Sequence, residues 1–342
     1  MKVAIYGAGS LGTVLGAYLA KSGMRADLIS RNKAHIEALR KDGAHITGKV
    51  DFRIPVSAFL PSEMPDDYDV IILMTKGIGE EETVRFLSDK LSDNGIICTC
   101  QNGLPELVIA EIIGEKKTYG CTIGWGATYL SPGTVELTSG EDTFTFTIGK
   151  LNNTRDEGLQ RLREVFSRMG EVEIAEDFLG ARWSKLLINA SFSAVSAVTG
   201  LSFGGVCSNL KARRIVQLIM KECVDVAHGK GISFAPMQGK NIEILASYSS
   251  LPKRLFCFMI IPFAMRKHRA LKSSMLQDIE KGKLTEIDAI DGALSREGRK
   301  AGVPTPVTDR TIEIVHMIER GEIRPSPHNL MLYNNETKWG LR

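Results

Sequence analysis

Near-continuous apolar runs alternate with helically spaced segments through the first half of the chain, and the second half carries helical spacing alone. Residues 3–6, 69–75 and 95–100 read as such apolar strands, the first suited to burial in a parallel sheet, and residues 25–30 read as a further strand after Gly23. Helical stretches lie between and after them, at 10–21, 78–90 and 104–113, the last with Pro105 in its first turn, where a missing N–H does no harm. Two short β-rich stretches follow, 134–137 and 143–148, the second alternating Thr with Phe or Ile, and they are expected to form an antiparallel edge. A polar break at 151–155 leads to a helix ending near Arg168 and a strand at 171–175. Beyond Glu176 there is no strand signal; residues 177–200, 206–229, 237–247 and 286–302 read as helices punctuated by Gly or Pro.

The first strand runs directly into Gly7, Ala8, Gly9, Ser10, Leu11 and Gly12. In a strand–turn–helix context each glycine has a use: Gly7 for the tight turn, Gly9 for close backbone approach to a pyrophosphate, Gly12 for packing the helix on its strand. The helix N-terminus offers free N–H groups to the anion. The expected fold is therefore α/β: an N-terminal Rossmann-type doubly wound sheet, residues 1–175, followed by an all-helical C-terminal domain, residues 176–342. Ligands in such sheets sit past the carboxyl ends of strands, which brings forward Lys76 and Gln101-Asn102-Gly103. NAD sites place Asp or Glu at the end of the second strand, but here it ends Ile29-Ser30-Arg31-Asn32, with Asp27 inside the strand. Arg31 suits a 2′-phosphate, so the expected cofactor is NADPH.

A length of 342 residues with 43% hydrophobic content supports two cores. The net charge of +3 comes from 43 basic and 40 acidic residues well mixed along the chain, so nucleic acid is not an expected partner. Six cysteines without a C-x-x-C pair, and no clustered histidines, suggest reduced thiols in the cytoplasm, with neither a metal site nor a disulfide framework. The first strand begins at once and leaves no room for a secretory signal. The apolar run 255–265 contains Pro262 and has basic flanks; a bilayer span needs about 20 residues, so no membrane span is expected.

In the helical half, Lys185, Asn189 and Ser193 recur every four residues, with a drift of about 40° per step on a helix. Such a polar stripe on an apolar helix is either a solvated edge or the lining of a cleft. A lysine in a cleft facing a nicotinamide could give a proton or a hydrogen bond to a carbonyl oxygen as hydride reaches the carbon. Ser273-Ser274-Met275-Leu276-Gln277-Asp278, then Glu286-Ile287-Asp288, form a second constellation; Gly282 argues against one continuous helix. It reads either as a serine cap before a solvated surface or as part of the site.

These motifs together resemble the ketopantoate reductase family, the NADPH-dependent 2-dehydropantoate 2-reductases, over nearly the whole chain: Gly7-x-Gly9-x-x-Gly12, Gln101-Asn102-Gly103, Lys185-Leu186-x-x-Asn189, and Ser273-Ser274-Met275-x-Gln277-Asp278 with Glu286-Ile287-Asp288. The resemblance implies that Lys185 is the general acid, that Glu286 is the acid beside the reacting centre, and that Asn102 lies between nicotinamide and substrate. Asn189, Ser193 and Ser274 would hold the substrate, with Asp278 supporting them, and Ala127 would join the cofactor contacts. The expected partners are a 2-oxo acid substrate and a second copy in a homodimer. Three positions depart from the family pattern: Ser193 and Asp291 where asparagines are usual, and the apolar Leu271 three before Ser274. The segment 234–270 is longer than usual and could line a larger pocket, cover a dimer interface or touch a membrane surface, in that order. The expected activity is reduction of 2-dehydropantoate. The alternatives are another 2-oxo acid, or a non-catalytic NADPH-binding regulator that would need the glycine turn but neither Lys185 nor Glu286.

Overall fold

The computed structural model describes residues 1–237 and 239–333. They form two compact units, Met1–Gln101 with Pro105–Phe178, and Asn102–Leu104 with the chain from Leu179 on. The expected C-terminal domain thus extends at 334–342 beyond the described residues.

The first unit opens with β1 (Val3–Tyr6), α1 (Ser10–Lys21), β2 (Ala26–Ile29) and α2 (Lys33–Asp42). Three short strands follow, β3 (Ala44–Gly48), β4 (Phe52–Ile54) and β5 (Ser57–Phe59), then β6 (Tyr68–Leu73), α3 (Glu80–Ser88), β7 (Leu91–Thr99) and α4 (Pro105–Ile113). It closes with β8 (Thr118–Ile123), β9 (Ala127–Ser131), β10 (Thr134–Leu137), β11 (Thr145–Gly149), α5 (Glu157–Phe166) and β12 (Glu171–Ile174). The main sheet has the order β12-β11-β8-β7-β6-β1-β2-β5. From β5 through β8 all pairs are parallel, and β11 turns antiparallel to β8. Every residue of β1 and β2 is buried, which is why β1 reads as an unbroken apolar run instead of alternating, while β2 carries the buried Asp27 between its apolar residues. The chain leaves β1 to one side for β2 and returns on the other as β6, so the strand order reverses beside β1, where open α/β sheets bind ligands.

A second sheet, β4-β3-β10-β9, was not legible in the sequence. The stretches 134–137 and 143–148 do not pair with each other: β10 lies in the small sheet between β3 and β9, and β11 in the large one between β8 and β12. The physical reason is α1. Its residues from Gly12 to Leu19 are all buried, and an all-round apolar helix needs cover on both sides. Val14, Leu15 and Tyr18 join a core with Val3, Ile5 and Leu28 of the large sheet and with Ile46, Val135 and Leu137 of the small one. Buried His35 links the parts: its Nδ1 accepts from Gly133 N at 2.9 Å, which leaves Nε2 to donate to Thr13 Oγ1 at 3.0 Å. Burial lowers its pKa, in keeping with this neutral form.

The second unit contains no strand among the described residues. Residues 177–200 form α6 (Phe178–Ile188), a single π turn (Asn189–Ser193) and α7 (Ala194–Thr199), ended by Gly200 in the left-handed region. The helix expected at 206–229 is divided into α8 (Phe203–Ser208) and α9 (Leu210–Gly229), because the Asn209 side chain accepts from Lys211 N and Ala212 N and caps a new start. The expected helix at 237–247 is absent: Met237 and Lys240 bridge around Gly239, which has φ +71°, and only a short 3₁₀ turn, Glu243–Leu245, follows. The unit continues with α10 (Leu251–Ala264), α11 (Ser274–Glu280), α12 (Ile287–Ala301) and α13 (Pro306–Glu319).

Burial raises the pKa of two carboxyls among these helices. Glu222 on α9 accepts from Val307 N, Thr308 N and Thr308 Oγ1 at the start of α13, yet burial still pushes its pKa up to about 7. Asp291 on α12 is fully buried, and its carboxylate oxygens have no partner outside its own backbone among the described residues. Burial first, then the nearby Glu222 and Asp288 carboxylates, hold its pKa well above the ordinary range. The folded protein therefore holds a proton on Asp291 to higher pH than the unfolded chain, which loses it above about pH 4, so stability falls with rising pH by up to ~1.4 kcal/mol per unit until the raised pKa is reached. Asp291→Asn should remove that slope. Thermal melts should show an advantage over the parent that grows from pH 5 to pH 8; a difference constant across that range would mean that Asp291 is ionised in the fold.

Candidate functional site

In the first unit the glycine turn is set by close approach of backbone. Gly7 has φ +109°, and a Cβ there would lie 2.4 Å from Thr75 N; a Cβ on Gly12 would lie 2.4 Å from Gly7 O. Gly7 N and Ala8 N both donate to Ile29 O at 2.9 Å, tying the turn to the end of β2. Gly9 differs from both. It is exposed, a Cβ on it would meet nothing nearer than Gly7 O at 4.0 Å, and as the N-cap of α1 it offers no side-chain cap. Ser10 and Leu11, both half-buried, open the helix, whose first turn carries no acid. The N-terminal amides of α1 therefore sit at the positive end of the helix dipole beside an open glycine, which fits a pyrophosphate.

Around this turn, Arg31 is exposed just past β2 and close enough to Tyr6 to offset part of the upward push that burial gives the phenol. Asp27, the competing acid, is engaged: Tyr68 Oη donates to its Oδ2 at 2.9 Å, and Arg25 Nε lies 3.8 Å from Oδ1. Lys76 is half-buried in the loop after β6. Ala127, half-buried, begins β9 in the small sheet, opposite Leu137. Gln101 is locked by Thr99 Oγ1, which donates to Oε1 at 2.9 Å, and by its own Nε2, which donates to Thr75 Oγ1 at 3.3 Å.

In the second unit, Asn102 Nδ2 donates to Glu286 Oε2 at 3.3 Å. Gly103 beside it has φ +86° and packs where a Cβ would be 2.1 Å from Ala289 O on α12, so only glycine lets this segment lie against that helix. Glu286 is buried and forms the N-cap position of α12, where the helix dipole favours a carboxylate. Lys185 and Asn189 are both half-buried, one helical turn apart, while Arg182, Trp183, Ser184, Leu186 and Leu187 around them are buried. Ser193 is buried at the end of the π turn. Its carbonyl accepts from Ser273 Oγ at 3.2 Å, and that same hydroxyl accepts from Leu276 N at 3.1 Å as the N-cap of α11. Ser274 follows, exposed in the first turn of α11, and half-buried Asp278 lies one turn on. The backbone carbonyl of Asp278 accepts from Lys281 N and Lys283 N around Gly282, whose φ of +64° separates α11 from α12 as expected.

The sequence profile described as "Ketopantoate reductase PanE/ApbA" matches residues 3–153, and "Ketopantoate reductase PanE/ApbA C terminal" matches residues 177–319. The chain belongs to the ketopantoate reductase family. A 2-dehydropantoate 2-reductase of Pyrococcus horikoshii is 30% identical over 90% of this chain and 94% of its own, and one of Mesorhizobium japonicum is 26% identical over 94% and 99%. The fold matches D-mandelate dehydrogenase, solved with NADH and anilino(oxo)acetate, with a TM-score of 0.78 at 24% identity over 94% of this chain and 99% of that one. As a member of this family the chain is an oxidoreductase acting on CH–OH groups with a nicotinamide cofactor.

Sequence reasoning about this ketopantoate reductase family member missed the residues that hold the polar groups in place. The π turn is one; Ser191 Oγ donates to Leu187 O at 2.6 Å inside it, and nothing in the spacing announced the extra residue. Thr285 is another, with N and Oγ1 both donating to Glu319 Oε1 at 2.7 Å and Oγ1 accepting from Ile287 N at 3.2 Å, which fixes the start of α12 beside Glu286. A threonine two before a helical run was the available signal. Leu271, one of the departures from the family pattern, is exposed.

The two kinds of glycine should separate in experiment. Gly12→Ala forces a methyl against backbone and should cost about 1–3 kcal/mol of stability. Gly9→Ala should melt close to the parent while binding nicotinamide dinucleotide about tenfold or more weakly, the effect of one lost contact of roughly 1.4 kcal/mol. Unchanged cofactor affinity in Gly9→Ala, measured by fluorescence titration, would remove this turn from the cofactor site.

Proposed function

We propose that this chain reduces a 2-oxo acid to the 2-hydroxy acid in the cytosol with NADPH, and that the acid is 2-dehydropantoate, which makes this the pantoate-forming step of pantothenate synthesis. The observation that carries the reading is the hydrogen bond from Asn102 to the buried Glu286 at the N-terminus of α12, in the same helical unit as the Lys185–Asn189 face. A non-catalytic cofactor binder has no use for such a group. The names of the Pyrococcus and Mesorhizobium relatives support the choice of substrate.

A reduced nicotinamide supplies the hydride for such a reaction. The chain supplies the rest. A lysine is charged at neutral pH, and in this reading the Lys185 ammonium gives its proton to the carbonyl oxygen as that oxygen becomes a hydroxyl. Glu286 is the acid beside the reacting centre, and Asn102, which donates to it, orients it. Asn189, Ser193 and Ser274 hold the acid, and Asp278 braces them. NADPH is favoured over NADH because Arg31 stands exposed at the end of β2 while Asp27 is turned inward to Tyr68 and Arg25.

A second reading keeps the chemistry and changes the acid. Ser193 is buried with its carbonyl held by Ser273, so a shorter side chain than the usual asparagine is fixed at a position expected to bind substrate.

Purified protein should oxidise NADPH on 2-dehydropantoate with higher kcat/KM than on 2-oxoisovalerate, and the opposite order would establish the second reading. Lys185→Ala should lower kcat by about 100- to 10,000-fold with NADPH affinity little changed, the range of a positioned acid. Near-normal turnover there would take the lysine out of the mechanism. In Arg31→Ala the KM for NADPH should rise far more than that for NADH; equal use of the two cofactors by the parent protein would count against the phosphate role.

A further inference from the structure

The segment 234–270 carries a surface that the reductase chemistry does not use. Helix α10 is apolar on both sides. Cys257, Phe258 and Ile261 face inward and are buried, with Arg213 of α9 stacked 4.0 Å from the Phe258 ring. The opposite side presents Leu251, Leu255, Phe256, Met259 and Phe263, which at the helical period fall within an arc of about 140°. These side chains stand out into solvent: Phe256 is 56% exposed, Met259 66% and Phe263 77%. Such a face therefore lines no interior pocket, and a helix on a soluble surface ordinarily turns polar residues outward.

The rim of this face is cationic. Lys253 stands in the first turn of α10, Arg266, Lys267 and Arg269 follow the face directly, and all four are exposed. Between Glu243 and Asp278 there is no Asp or Glu. An apolar ridge edged by cations matches a surface with an apolar interior and anionic headgroups. A second copy fits less well. A two-fold contact would bring each copy's cations towards the other's, and five side chains fall well short of the roughly 20–30 residues a side of a stable interface. A single convex helix also offers an acidic protein no groove to read, whereas a lipid surface demands only apolar depth of about 5–10 Å and negative charge. No helix among the described residues is long and apolar enough to cross a membrane, so α10 would lie in the surface.

We infer that α10 is a membrane-surface anchor, docking this protein on anionic lipid through Leu255, Phe256, Met259 and Phe263 with the cations of Arg266, Lys267 and Arg269 on the headgroups. The full-length protein should co-sediment with vesicles of phosphatidylcholine and phosphatidylglycerol in equal parts, and not with pure phosphatidylcholine vesicles; added salt should weaken the binding. Phe263→Ser should weaken it more than about tenfold, the scale of withdrawing one large apolar side chain. Lys267→Gln with Arg269→Gln should weaken it about 30-fold. Both variants change exposed side chains, so their melting temperatures should match the parent's. Failure to bind the anionic vesicles, or equal binding to both compositions, overturns the inference. So does sedimentation equilibrium showing a dimer that Phe263→Ser dissociates, since that outcome gives the face to a second copy.

Discussion

A helix buried on every side keeps free backbone groups only at its ends, and the first unit depends on that constraint at the N-terminus of α1. From Gly12 to Leu19, α1 is enclosed by the main sheet and the small sheet together. Its first amides cannot be satisfied by a serine or aspartate cap, because the cap position is Gly9. Gly7 and Gly12 close the turn so tightly that no side chain fits, while Gly9 stays open. The buried helix and the open turn are thus one arrangement: apolar packing fixes α1, and the unsatisfied end is left for an anion.

The second unit solves a different problem, which is holding polar groups on apolar helices. The π turn at Asn189–Ser193 interrupts the run between Lys185 and Thr199 just where the polar stripe lies, and Ser191 and Ser273 hold the backbone around it. Glu286 is kept at a helix start by Thr285 on one side and Asn102 on the other. Buried Glu222 has three donors at the start of α13, whereas buried Asp291 has none outside its own backbone among the described residues. That contrast separates a carboxyl used as a brace from one that merely takes the place of an uncharged group.

α10 shows what remains when neither rule applies. Its inner face is ordinary packing, but its outer face is apolar without a covering element, and the cations collect at its ends. The interior of the unit would be satisfied by a polar outer face. The cause of the apolar one therefore lies outside the fold.

The sequence by itself determined the features set by local chemistry: the strands β1, β2 and β6, of which β1 and β6 carry near-continuous apolar runs; the glycine turn; and the break at Gly282. Only the tertiary structure decided the features set by partners distant in the chain. The small sheet exists because α1 needs a second cover, and β10 and β11 went to different sheets for that reason, although their own alternation would have suited either. The contact between Asn102 and Glu286 joins residues far apart in sequence, and no local spacing records it. The burial of Asp291 and the exposure of α10 depend on which side of each helix the neighbouring helices occupy, and an apolar pattern present on both sides of a helix carries no sign of which one faces the core.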